Sequence, residues 1–455
     1  MKKWVLIAAV LAAASAVGDE LEDFVHKERE ARQIPGLVVA TIKNGEIDRV
    51  VSSGKASLDL DVPVKRATAF EIGSMTKAFT AEVVMMLVEE GKVALSDPVA
   101  KYIEGSPDTW KNITIRHLLT HTSGLPNYTS IRPALIVNGQ KLTFDDLMTM
   151  VKDLKLVFEP GSKYMYSNTN YYFLGKVIEM VTGSTYPEFL RDRILTPLDM
   201  KDTVPQKPRG IIKNRAVGHM MIGSSHSIMP YLDPTGASAA GFLVSTVDDL
   251  AKWDKALLQG KLLKPESYAA MYKSVAIDDG ISTYGFGWDI SQMAGHKVIQ
   301  HGGGTGGFST YMLRLPDDKV TVVVLGNLAQ ADVGSIAKGV ARMLIPSLIE
   351  KAIRDPDPTL TKSHRDLVDK ILDGTVQRSA FEEKTANELF PTLIAQARQH
   401  LLSLGKLTKF EVLEHKNEPS GLARKYRVTF EKGIVALTIR TNREGKIVAI
   451  FYQPD

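Results

Sequence analysis

The sequence predicts an α/β (α+β) chain: an antiparallel sheet flanked by helices and split by an inserted helical region, followed by a small C-terminal α+β module. Three observations carry that expectation. Two β-rich runs surround Asn44-Gly45, and further strand-like runs lie between Tyr284 and Asn327. A stretch of helical patterns and Gly/Pro-rich loops, from about Leu95 to Gly260, separates the two groups. Last, a charged, proline-containing segment near residue 354 is followed by helices and then four short strands. Strand-forming text on both sides of a helical insertion reads as one sheet interrupted in sequence.

Residues 1–16 read as an export signal: Lys2 and Lys3, the apolar run Trp4 to Ala16, and the small triplet Ala14, Ser15, Ala16 at its end. A membrane span needs about 20 apolar residues, so cleavage near Val17 is expected and no stable membrane anchor remains. The chain has no cysteine, which removes disulfides and a lipid-bearing cysteine together. A periplasmic or secreted protein is the expectation. Gly36 to Ala56 is the strongest hairpin text, two strands around Asn44-Gly45. Thr76 to Glu90 places Phe79, Val83, Met86 and Leu87 on one helical face and stops at Gly91. Strands follow at YGFGWDI, KVIQH, FSTYMLRL and VTVVVLGN, the last two around Pro316-Asp317-Asp318, and a long helix from Asp332 to Lys351 closes the first domain, residues 17–353.

Residues 354–362, with two prolines and no periodicity, read as a linker. The module 363–455 offers helices near 364–373 and 379–403 and the strands FEVLEH, YRVTF, IVALTIRT and KIVAIFYQ. Composition sets wider bounds. With 455 residues, 44% hydrophobic and 24% charged, the chain is an ordinary globular protein, and a net charge of +4 without a basic run gives no reason to expect nucleic acid as a partner. Nor does any repeat or low-complexity tract appear. Sixteen basic residues face twelve acidic ones from Thr361 on, so what positive excess there is lies in the module.

Several short motifs fail on context. Gly302 to Gly307 contains G-x-G-x-x-G, but FSTYMLRL follows it, a strand where a dinucleotide site needs a helix N-terminus. His117 and His121 have the spacing of metal ligands on a helix, yet Glu does not follow His117 and Thr122-Ser123-Gly124 reads as a turn, so no metal is expected. Gly236-Ala237-Ser238-Ala239-Ala240 lacks the last glycine of a nucleophile elbow. S-x-x-K occurs at Ser52, Ser74, Ser335 and Ser403. Of these, Ser74 stands at the head of a buried-looking helix, where the spacing puts Lys77 one turn along the same face. A lysine there becomes a base if burial lowers its pKa from about 10.4. An N-cap serine beside a solvated lysine is the plainer alternative for any one such match.

The company Ser74 keeps is more specific: a single Y-x-N at Tyr166-Ser167-Asn168, a strand ending in His301-Gly302-Gly303, and the phrases HLLTHTSGLP and FEPG. This ordered set resembles the serine penicillin-recognising enzymes, in particular the class C β-lactamase-like branch with its D,D-peptidases, D-amino-acid peptidases and esterases. The resemblance covers roughly residues 24–350 and implies a β-lactamase-like fold. It further implies Ser74 as the acylated nucleophile, Lys77 and Tyr166 sharing proton transfer, and Asn168 on the acyl-side amide. Backbone N–H groups of Ser74 and Gly304 would form the oxyanion hole, with His301, Gly302 and Gly303 along the substrate. A cation such as Lys77 would favour the Tyr166 phenolate.

One departure matters. The family's usual third motif is K-T-G, whose lysine and hydroxyl hold a substrate carboxylate. His301-Gly302-Gly303 offers no hydroxyl, and a cation only when His301 is protonated, unless Arg314 or Lys297 folds into the cleft. The expectation is an exported serine hydrolase acting through an acyl-enzyme on a small ester or peptide, of esterase or D-amino-acid peptidase type, with no cofactor. β-Lactamase or D,D-carboxypeptidase activity, and a non-catalytic cell-wall peptide-binding protein on the same fold, are the alternatives. The oligomeric state stays open.

Overall fold

The computed structural model describes residues 20–131, 141–206, 210–230, 232–278 and 280–454. The expected export signal, residues 1–16, lies outside the described residues. Within the described residues, no helix is long and apolar enough to cross a membrane. The chain divides into two units, one ending at Leu348 and the other starting at Ile349.

In the first unit, strands β1 (Gly36–Lys43), β2 (Glu46–Ser57), β3 (Val62–Pro63), β4 (Asp289–Met293), β5 (His296–Thr305), β6 (Phe308–Leu315) and β7 (Val320–Gly326) form one sheet. Their order is β4-β5-β6-β7-β1-β2-β3, and every pairing is antiparallel. Strands from the two ends of the unit meet where β1 pairs with β7, Val39 opposite Val324. Asn44 and Gly45 both take positive φ, 53° and 78°, as a tight two-residue hairpin turn requires. The sheet is central, with helices on both faces, so β1 and β7 are almost wholly buried.

Helix α1 covers residues 20–31, and α2 covers Thr76–Glu89. Twelve residues of α2 are buried, far more than one amphipathic face, because the insertion packs on the side the sheet leaves free. Beneath it, Phe79 stacks on Trp253 at 3.6 Å between centroids, and Trp253 on Trp288 at 5.5 Å. Each such pair adds about 1 kcal/mol beyond burial, and together they fix the helix against the core. The insertion supplies α3 (Asn168–Thr182) and α4 (Val247–Leu258). It also holds a small sheet the sequence pattern does not announce, in which Leu243–Ser245 pairs with Phe70–Glu71 and Val204–Pro205.

Three expectations about helices need correction, two of them at the junction of the units' sequences and one further on. The closing helix, α5, runs Val333–Leu344 rather than Asp332 to Lys351. Pro346 lacks a backbone donor and disfavours helical geometry in the residue before it, so the chain turns there. Nor is 354–362 a structureless linker. Helix α6 spans Pro358–Asp373. The Asp357 side chain accepts from the Leu360 backbone N–H at 3.0 Å, and Pro358 takes the first helical position, where no donor is needed.

The second unit continues with α7 (Glu383–Leu389) and α8 (Thr392–Ser403), separated at Pro391 where a single helix over 379–403 was expected. Strands β8 (Leu407–Glu418), β9 (Gly421–Phe430), β10 (Gly433–Asn442) and β11 (Ile447–Pro454) form an antiparallel sheet in sequence order. Its core joins Val428 and Leu437 of the sheet to Val368, Ile371 and Leu401 of the helices.

Candidate active site

Ser74 lies in the single turn Gly73–Met75 directly before α2. Gly73 has φ +50°, and a Cβ there would stand 2.8 Å from the Gly304 nitrogen. A Cβ on Gly303 would come within 1.9 Å of the Ile72 carbonyl. Glycine at both positions therefore lets the end of β5 lie directly on the serine turn. Ser74, Asn168 and Gly304 line one cavity of about 160 Å³.

Lys77 is fully buried. Its Nζ lies 3.0 Å from Ser74 Oγ, 2.8 Å from Asn168 Oδ1 and 2.7 Å from the Ala240 carbonyl. Burial holds its pKa well below the usual lysine value. A neutral amine has two hydrogens and one lone pair. Asn168 Oδ1 and Ala240 O can only accept, so they take the hydrogens, and Ser74 alone of the three can donate to the lone pair. The arrangement is that of a base facing a hydroxyl.

Tyr166 hydrogen-bonds to Ser74, and its ring centroid is 4.8 Å from Lys77 Nζ. Here the phenolate expectation fails. Burial pushes the Tyr166 phenol well above its ordinary value, and the same burial disfavours the Lys77 charge that would offset it. A protonated Tyr166 can donate to Ser74 Oγ.

His301 also departs from expectation. It is buried, does not line the cavity, and its Nε2 is 2.8 Å from the Tyr284 hydroxyl while Nδ1 is 2.6 Å from the Gly302 carbonyl. Burial, with Lys77 nearby, depresses its pKa to about 3. The imidazole is neutral and turned inward because β5 alternates its faces, which places His301 toward the core. Gly302 and Gly303 likewise do not line the cavity; they allow close packing, and of this run Gly304 reaches it. Arg314 is buried against Asp254 at 2.7 Å, and Lys297 lies over the Tyr272 ring at 5.8 Å. Among the described residues, no lysine or arginine lines the cavity, whereas Glu71 and Asp233 do.

The two histidines set aside as metal ligands have other tasks. His117 Nδ1 accepts from the Thr114 N–H, capping a short helix. His121, buried and at φ +58°, takes the Ser167 backbone N–H at 3.2 Å and the Asn170 amide at 3.1 Å on Nδ1. Its ring lies 4.3 Å from that of Tyr166. His121 thus ties the turn after the short helix to the Y-x-N segment. Sequence reasoning missed this role, and also missed the Ala240 carbonyl, which no residue type can signal.

The Beta-lactamase family profile matches residues 21–343. Penicillin-binding protein 4* of Bacillus subtilis (strain 168) is 32% identical over 316 residues, 66% of this chain and 69% of that protein. Protein flp of Staphylococcus aureus (strain MW2) is 27% identical over 320 residues, 68% of this chain; the chain spans 63% of that relative's length. Among solved structures, the octameric penicillin-binding protein homologue from Pyrococcus abyssi is 26% identical, with a TM-score of 0.66 over 96% of both chains. D-amino acid amidase from Ochrobactrum anthropi SV3, in complex with L-phenylalanine amide, is 26% identical with a TM-score of 0.64, over 74% of this chain and 98% of that one.

Proposed function

The chain belongs to the beta-lactamase family, and from that premise we propose that it is an exported serine hydrolase that cleaves esters or amides lacking a carboxylate at the reacting end. The observation that carries the reading is the buried Lys77 amine, whose Nζ lies 3.0 Å from Ser74 Oγ and is held by Asn168 Oδ1 and the Ala240 carbonyl. Ser74 Oγ attacks the substrate carbonyl carbon as its proton passes to Lys77 Nζ. The carbonyl oxygen takes up negative charge, which the N–H groups of Ser74 and Gly304 stabilise. Tyr166 gives its proton to the leaving oxygen or nitrogen and regains one from Lys77, so the C–O or C–N bond breaks without a net change of charge. Water then attacks the acyl-serine along the same proton path, and Ser74 recovers its hydrogen.

The cavity supports a neutral or cationic substrate over an anionic one. A carboxylate held there would be desolvated beside Glu71 and Asp233, with no cation among the described lining residues to balance it. Similarity to a D-amino acid amidase favours testing D-amino-acid amides beside short esters. The test is intact-mass spectrometry after exposure to a fluorophosphonate, p-nitrophenyl butyrate and a D-amino-acid amide, with Ser74→Ala as control. A single covalent adduct that Ser74→Ala abolishes, with turnover lost alongside it, is expected. Turnover undiminished in Ser74→Ala would sink the reading, and no adduct or turnover with any probe would favour a binding protein.

A further inference from the structure

The second unit contains a cavity of about 310 Å³, near twice the volume of the one at Ser74. It lies between α8 and the sheet, and it reaches the unit's own core. Val428, Phe430 and Leu437, all buried, form its floor. Leu393 and Phe451, 49% and 60% exposed, stand at its rim. A side chain that is both exposed and cavity-lining marks an opening, so the space is continuous from solvent to core.

Its dimensions and chemistry are those of a ligand site. Along α8 the lining runs from Leu393 to Leu401, about 12 Å at the helical rise. Across the sheet it spans β9, β10 and β11, about 10 Å at the spacing of neighbouring strands. Well-packed cores hold few voids larger than a water molecule, whereas small-molecule pockets begin near 300 Å³. Of the lining side chains, Gln396 and Tyr452 are polar and none is charged.

We propose that this cavity binds the alkyl chain of a single-chain amphiphile whose polar end is uncharged, an alcohol, amide or ester. The apolar floor takes the chain. Tyr452, whose phenol is protonated at the pH of the assay, donates to the polar end, with the Gln396 amide as a second partner near the opening. A carboxylate would be desolvated there without a cation, which separates this class from free fatty acids.

The test uses the intact protein and the neutral fluorophore N-phenyl-1-naphthylamine, displaced by 1-dodecanol, lauramide or laurate at pH 8. One saturable site per chain is expected, displaced by dodecanol and lauramide, with laurate weaker by about tenfold or more. Ala397→Trp fills the cavity from the helix side and should weaken the fluorophore by about tenfold or more without lowering the melting temperature. Ile394→Phe is the second filling variant and should repeat the loss. Probe affinity unchanged in both folded variants overturns the site, and laurate binding as well as dodecanol overturns the uncharged end. Absence of saturable binding, with a dimer in sedimentation that Ala397→Trp dissociates, would instead assign the opening to a second copy of the chain and overturn the proposal.

Discussion

The neutral state of His301 is open to a direct kinetic test. If an unperturbed imidazole held a substrate carboxylate, roughly three quarters of it would be charged at pH 6 and about 3% at pH 8, a change of about 25-fold. With the pKa near 3 that burial imposes, about one molecule in a thousand is charged even at pH 6. The perturbation is therefore pH alone, and the readout is kcat/KM for a chromogenic cephalosporin divided by that for p-nitrophenyl butyrate. Dividing the two cancels the titration of Lys77, which both substrates share. The ratio should stay flat between pH 8 and pH 6, and should lie about tenfold or more below one, the cost of a missing charged hydrogen bond. A ratio that climbs about 25-fold on acidification would show that His301 meets the carboxylate as a cation, and the inward orientation would be wrong.

Lys77→Ala should lose about 100-fold or more in kcat for ester hydrolysis, as removal of a general base does; near wild-type rates would remove lysine from the proton path. Tyr171→Ala opens space for water beside Lys77, whose Nζ lies 5.7 Å from that ring. The lysine pKa then rises and the acid limb of kcat/KM moves to higher pH, and an unmoved limb would refute burial as the cause. Glu82, fully buried and hydrogen-bonded at 2.8 Å by both Trp253 and Tyr268, has its carboxyl raised from 4.5 to about 7. Between those values the folded state holds a proton that the unfolded state has lost, so stability falls as pH rises through the window. Glu82→Gln should thus gain up to about 3 kcal/mol over the parent at pH 8 and little at pH 4.5, and an equal effect at both pH values in urea unfolding would contradict this. A chain ending at Leu348 should still hydrolyse a small ester, because every proposed catalytic group precedes that point; a folded truncation without turnover would place part of the site in the second unit.

What the sequence disclosed depended on whether the signal was local. Asn44-Gly45 announced its hairpin, and the apolar spacing from Phe79 to Leu87 announced α2, because backbone geometry and residue type constrain each other over a few positions. Ser74, Lys77, Tyr166 and Asn168 were found as an ordered set of motifs, and the structure brings all four together. What stayed hidden lay in side-chain direction and in backbone atoms. A histidine after a strand reads the same whether its ring faces solvent or core, and the parity of β5 decides that for His301. The Ala240 carbonyl that holds Lys77 has no residue-type signature at all. The first turns of helix α6 were missed because two prolines were read as breaking structure, when one of them sits at the helical position that tolerates proline best.

One cause, burial, sets both members of the proton path, and it acts on them in opposite directions. Lysine is charged when protonated, so desolvation strips its proton; tyrosine is charged when deprotonated, so desolvation keeps its proton in place. Burial thus favours a neutral amine beside a neutral phenol, a state in which Ser74 can donate to the first and accept from the second. No charge has to be moved before attack begins. Burial lowers the Lys77 pKa, and the neutral His301 imposes no fixed positive field on the amine. In a site with a lysine at that position, a cation would both hold a carboxylate and help to keep Lys77 neutral. Here the second task falls to packing by Tyr166, Tyr171 and the Ala240 turn, and among the described lining residues no lysine or arginine takes up the first. Loss of the third-motif cation therefore changes two things together: which substrates bind, and what keeps the base ready.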